Sequence, residues 1–167
     1  MQGPSLSLLP ILVALLATAA HAGPPPARQL RALDALVDEI AATEFSGSTD
    51  TDRRLAMSLL GSVHAVDAKV DAWDAPAPGR ARLRAVAARV AFAEVLLAVP
   101  CPTAFSEPVC RIYQRSLAEY AEPMAAQAAA TAAELGEDLR KPERKRLTSL
   151  SERASSASAT AAARLGR

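Results

Sequence analysis

The amino-acid sequence predicts an all-α protein, a single antiparallel bundle of four to five helices with an alanine-rich core. Three observations carry this. Half of the 167 residues are apolar but only 4% are aromatic, and a large share is alanine, which has the highest intrinsic helix propensity and little preference for strands. No stretch alternates Val, Ile, Thr and Tyr as a half-buried strand requires. Apolar side chains instead recur at three- and four-residue steps in segments separated by Pro, Gly and Ser clusters, the pattern of amphipathic helices joined by turns.

The chain opens on an apolar run from Leu6 to Ala20, followed by Ala20-His21-Ala22. A short hydrophobic stretch ending in a small-x-small tripeptide is the pattern of a secretory signal peptide, so residues 1–22 are read as a leader cleaved after Ala22. No Lys or Arg precedes the run, so the alternative is a leader that stays in place as an anchor. Residues 23–26, Gly-Pro-Pro-Pro, form a stiff spacer because consecutive prolines favour extended geometry. The remainder, residues 27–154, is of a size to build one core, and residues 155–167 form a Ser/Ala-rich tail expected to be a partly frayed helix.

The helices follow in order. The first, about 27–45, lines one face with Leu30, Leu33, Val37 and Ile40, widened by Leu36, and Ser46 to Asp50 interrupts it with turn formers, leaving Asp50 or Thr51 as the expected N-cap of the next. The second, about 51–73, presents Leu55, Leu59, Val63, Val66, Val70 and Trp73, and ends at the Pro- and Gly-rich segment 74–79. The third, about 80–99, uses Leu83, Val86, Val90, Ala93 and Leu97. From Val90 onward Phe92, Val95, Leu96 and Val99 make it apolar nearly all round, which predicts burial on several sides. The fourth begins near Ser106 or Pro108 and carries Val109, Ile112, Leu117, Tyr120 and Met124 at roughly helical steps. Pro123 is expected to kink or split it, and Gly136 to end it. The last starts near Lys141 with Pro142 in its first turn and passes through Leu147, Leu150, Ala154 and Ala157.

Net charge is only +1, so the total gives no support to a nucleic-acid partner. The distribution is uneven. Residues 24–75 hold five basic and nine acidic side chains, residues 76–167 fourteen and nine. In an antiparallel bundle this predicts acidic early helices lying beside basic later ones. Arg80 and Arg84 fall on one side of the apolar face of the third helix, and Arg82 and Arg89 on the other. Arg140, Lys141, Arg144, Lys145 and Arg146 form a tighter basic cluster that could touch phosphates or anionic headgroups, but no aromatic residues interleave with it to stack on bases.

Four sets of residues could carry chemistry. Cys101 and Cys110 are the only thiols, and in an exported chain their pairing as a disulfide is the default. A redox-active pair is the alternative, but the spacing is not C-x-x-C and no adjacent His or Lys would lower a thiol pKa. His64, Asp67 and Asp71, with Asp74, share one flank of the second helix. Imidazole and carboxylates at this spacing can ligate a divalent metal, although one histidine makes such a site incomplete without a ligand from a neighbouring helix. The competing reading is a solvated acidic face or one paired with basic helices. Glu94 is the only ionisable group between Val90 and Val99, where apolar surroundings would raise its pKa and suit it to general acid chemistry, unless an arginine pairs with it.

The sequence contains no G-x-S-x-G, no phosphate-binding glycine loop and no H-E-x-x-H. The reading it supports is an extracytoplasmic, periplasmic or secreted helical bundle that binds or scaffolds another envelope or secreted protein without catalysis. No cofactor or nucleic acid is called for, and a membrane only if the leader is uncleaved. The alternative is a small exported enzyme using interior Glu94 and arginines, similar to exported helical chorismate mutases in architecture alone. That alternative requires Glu94 and at least two arginines to converge in one interior cavity.

Overall fold

A computed structural model describes residues 27–73, 78–135 and 139–167. The leader, the proline spacer, Asp74 and the segment to Ala77, and the stop at Gly136 lie outside the described residues. Five helices and no strand are present among those described: α1 (Ala27–Ala41), α2 (Thr49–Asp71), α3 (Gly79–Ala98), α4 (Glu107–Glu134) and α5 (Lys141–Leu165). They pack against one another as a helical bundle.

Each helix meets the core through a face that its sequence period specifies. In α1 the four residues of the apolar stripe, Leu30, Leu33, Val37 and Ile40, are the four that are buried. In α2 the buried set is Ala56, Leu59, Val63, Val66 and Val70, joined by one carboxylate, Asp52. α3 is the central helix and packs against all four others. Its continuous apolar character therefore has a use on every side: Ala81, Leu83, Ala85 to Ala88, Val90 to Ala93 and Leu96 are all buried.

Ion pairs fix the helix directions. Arg80 and Glu143 pair at the starts of α3 and α5, and Glu94 and Arg153 pair further along both, so these helices run parallel. Arg82, at the start of α3, meets Glu134 at the end of α4, so α4 runs against α3, and Arg89 in the middle of α3 meets Asp67 of α2. The split of the arginines into two flanks is realised as the sequence implies. Arg80 and Arg84 face the acidic groups of α5 and α1, and Arg82 and Arg89 those of α4 and α2.

Two local expectations are corrected. Pro123 does not split α4: the helix runs unbroken from Glu107 to Glu134. The ring sits on the exposed side, where the carbonyl it leaves unbonded can turn to water. The stretch from residue 155 is helical. α5 continues to Leu165 with Ala157 and Ala161 buried, and its end is closed by Gly166 in the left-handed conformation (φ 76°). Gly166 N–H donates to the Ala163 carbonyl and Arg167 N–H to that of Ala162, the pairing that satisfies the last carbonyls of a helix. Arg164 adds a hydrogen bond to the Leu97 carbonyl at the end of α3 (2.9 Å).

The second correction concerns the core face of α4. Its core face is not Val109, Ile112 and Tyr120 but Tyr113, Leu117, Ala118, Ala121, Ala125, Ala128 and Ala132. Five alanines in that face let α4 lie close to α3 and α5, since the distance between helix axes is set by the side chains at the contact. The bulkier stripe is turned outward.

Candidate functional sites: a polar cavity and an apolar groove

Cys101 and Cys110 lie with their Sγ atoms at disulfide distance and their Cα atoms 5.7 Å apart. They close the turn between α3 and α4. Phe105, inside that turn, stacks edge-on against Tyr113 with ring centres 5.7 Å apart.

Glu94 is not desolvated. Its side chain is 38% exposed, at the rim between α3 and α5, and accepts from Arg153 Nε at 2.8 Å and from Nη2. The hydrogen bonds from Arg153 to this carboxylate hold the Arg153 proton more tightly than usual. One arginine, not two, meets Glu94, and the pair faces solvent. The convergent interior site that the enzyme reading required around Glu94 is not formed, because the position following Ala93 on α3 points outward between two helices.

His64, Asp67 and Asp71 are not gathered around a common point, and among the described residues no three His, Cys, Asp or Glu side chains are placed to hold a metal ion. The reason lies across the helix interface. Asp67 turns from the exposed His64 to Arg89, whose Nη2 stands 2.9 Å from Asp67 Oδ1, so a cation already occupies the place a metal would take. Burial pushes the Asp67 carboxyl upward in pKa, with Arg89 opposing the shift. A raised carboxyl binds its proton more tightly in the folded chain than in the unfolded one. This group therefore favours folding least once the pH has risen above the raised folded value.

Asp67, Asp71, Arg82, Arg89 and Thr131 line a cavity of about 270 Å³ floored by Val70 and Ala85. Arg89 Nε is buried there without a hydrogen-bond partner. The two arginines are each matched by a carboxylate, Arg82 by Glu134 and Arg89 by Asp67. Asp71, also in the lining, takes part in no ion pair among the described residues, so the cavity offers hydrogen-bonding groups and one unmatched carboxylate.

The basic cluster sits on the first turns of α5, with Arg140, Lys141, Arg144, Lys145 and Arg146 all exposed. Arg146 reaches Asp34 of α1 at 3.3 Å, which also takes a two-pronged contact from the buried Arg84 (3.1 and 3.0 Å).

The second concavity lies between the first halves of α2 and α4. It has a volume of about 300 Å³ and is walled by Thr49, Arg53, Ala56 and Met57 of α2 and by Tyr113, Ser116, Leu117, Glu119 and Tyr120 of α4. The large apolar side chains with high exposure are Met57 (51%), Val109 (45%), Ile112 (70%) and Tyr120 (41%). Met57 and Tyr120 face each other across the groove, while Val109 and Ile112 share the helical stripe of Tyr120 and extend the apolar strip toward the α4 start. Beneath them, Tyr113 closes the floor by donating to the wholly buried Asp52 at 3.0 Å.

Sequence reasoning set Val109, Ile112 and Tyr120 on the apolar stripe of the fourth helix with Leu117 and Met124, and did not single out Met57. What it lacked was the rotation of α4, which alanine packing decides. Asp52 was overlooked because its burial depends on a turn that folds back over the start of α2.

Comparison of the chain with protein-family models, with curated proteins and with solved structures gives no match.

Proposed function

We propose that this is a non-catalytic binding or scaffolding protein of the extracytoplasmic space, and that the groove between α2 and α4 is its working surface. The observation that carries the reading is the outward turn of the α4 stripe. Val109, Ile112 and Tyr120 stand exposed beside Met57, at a real cost in unburied apolar area. A clustered apolar strip with polar residues at its edges is the form of a protein-binding surface, in contrast to isolated exposed apolar side chains, which need no explanation. The apolar run Leu6 to Ala20 and the Ala20-His21-Ala22 tripeptide support export. The partner is accordingly a protein of the envelope or secreted fraction.

A photoreactive amino acid placed at Ile112, with Lys145 on α5 as control, tests the surface in the full-length chain expressed with its leader. Irradiation should give a discrete protein adduct from position 112, lost on Tyr120→Glu, and none from position 145. Equal labelling from both positions, or none from 112, would remove the groove as the working surface. N-terminal sequencing of the same material should find Gly23 as the first residue.

A further inference from the structure

We infer that the occupant of the α2/α4 groove is a second copy of this chain, joined across a twofold axis. This rests on the reading of the groove as a binding surface and names its partner. The groove is complementary to itself. One wall, α2, carries Arg53 and Met57, and the other, α4, carries Glu119 and Tyr120. Both charged side chains are exposed, and neither takes part in an ion pair among the described residues, where eight other pairs are formed.

A groove lined by one sign of charge calls for a partner of the other sign. This groove carries one of each on opposite walls. In a twofold interface the same patch serves both subunits, so that residue i of one copy meets residue j of the other and the reverse. An axis through the groove lays the α2 wall of each copy on the α4 wall of its partner. Arg53 then meets Glu119 twice, and Met57 meets Tyr120 twice, bringing a thioether against an aromatic ring, a favourable contact. Ile112, the most exposed large apolar residue at 70%, stands beside the groove on the same strip and is covered with it. The result has an apolar middle and a charged rim, the arrangement expected of a specific interface.

Sedimentation velocity over a concentration series of the folded, leader-free chain tests this. The wild type should show a monomer–dimer equilibrium, and Ile112→Glu should be monomeric. Arg53→Glu alone would set two carboxylates against each other across the axis, and Glu119→Arg alone two guanidinium groups. Each should weaken self-association at least about tenfold, because like charges placed opposite one another are strongly unfavourable. Mixing the two single variants should restore dimer, since the mixed pair has an opposite-charge match at both contacts.

All three substituted positions are exposed, and circular dichroism with thermal melting confirms that each variant is folded. A wild-type monomer at every concentration overturns the proposal. So does a dimer indifferent to the charge changes and not regained on mixing. If the chain is monomeric while position 112 crosslinks to a different protein, the second-copy proposal fails and the groove stands. If position 112 crosslinks only to another copy and mixing restores the dimer, both stand.

Discussion

Asp52 is the residue on which the start of the bundle depends. It is wholly buried in the first turns of α2, and no arginine or lysine pairs with it. Hydrogen bonds do the work of a counter-ion: Ser46 N–H (2.9 Å), Ser46 Oγ (3.0 Å), Gly47 N–H (2.9 Å) and Tyr113 OH (3.0 Å) all donate to the carboxylate. The positive end of the α2 dipole adds to them. Gly47 holds a left-handed φ of 78°, which lets the turn double back so that successive N–H groups aim at one side chain. Burial, with the bond to Asp52 second, raises the Tyr113 pKa from the ordinary 10.0 to about 12. The folded state therefore holds this proton more tightly than the unfolded one. Its contribution is complete below pH 10 and is lost as the pH rises toward about 12. Tyr113→Phe should cost roughly 1.5–3 kcal/mol at neutral pH, the worth of a hydrogen bond to a charged acceptor. The variant should also lack the late phase of tyrosinate absorbance near pH 12. A variant as stable as wild type in urea, with that late phase retained, would show that Tyr113 does not serve Asp52.

At the scale of elements, what was legible in the sequence depended on the size of the residues that make the core. α1 was legible to the residue, because its stripe is Leu, Leu, Val and Ile and nothing competes with it. The all-round burial of α3 was equally plain, since both of its faces are apolar. α4 was misread, because hydrophobic periodicity weights bulk while this helix packs through alanine. The packing face of α4 contains Ala118, Ala121, Ala125, Ala128 and Ala132, set against α3 and α5. The same fact hid the groove, which exists only because alanines took the inward side and left the larger residues facing out. Two similar changes on α4 should therefore differ in effect. Ala121→Leu, at a fully buried position, should force α4 away from its neighbours and destabilise by about 1–3 kcal/mol, the usual cost of overpacking. Gln127→Leu, on the exposed side of the same helix, should change stability by less than about 0.5 kcal/mol. Equal effects on the urea midpoint would mean that alanine does not set the approach of α4.

For the molecule as a whole, the charge imbalance along the chain resolves into contacts between its halves. Asp34 of α1 meets Arg84 and Arg146, and Asp67 of α2 meets Arg89. The acidic start is thus bound to the basic remainder as the sequence implied. These pairs orient helices more than they stabilise them, since partly exposed ion pairs contribute little. One covalent link remains to be weighed. Cys101 and Cys110 close the turn that reverses the chain between α3, the centre of the bundle, and α4. Pro102 and Pro108 already stiffen that segment, and Phe105 is held against Tyr113, so the turn would keep its native form without the link. The bridge acts on the unfolded chain, where closing a loop of this size removes conformational freedom worth about 2–3 kcal/mol. Reduction under native conditions should therefore leave the helical circular dichroism intact while lowering the melting temperature by roughly 5–10 °C. Cys101→Ser with Cys110→Ser should melt at the same temperature as the reduced wild type. The groove lies on α2 and α4 beyond the turn, so self-association measured well below the melting temperature should be unchanged in the double variant. Loss of association together with the bridge would mean that the link shapes the groove itself, and that α4 is less firmly seated by its alanines than its burial implies.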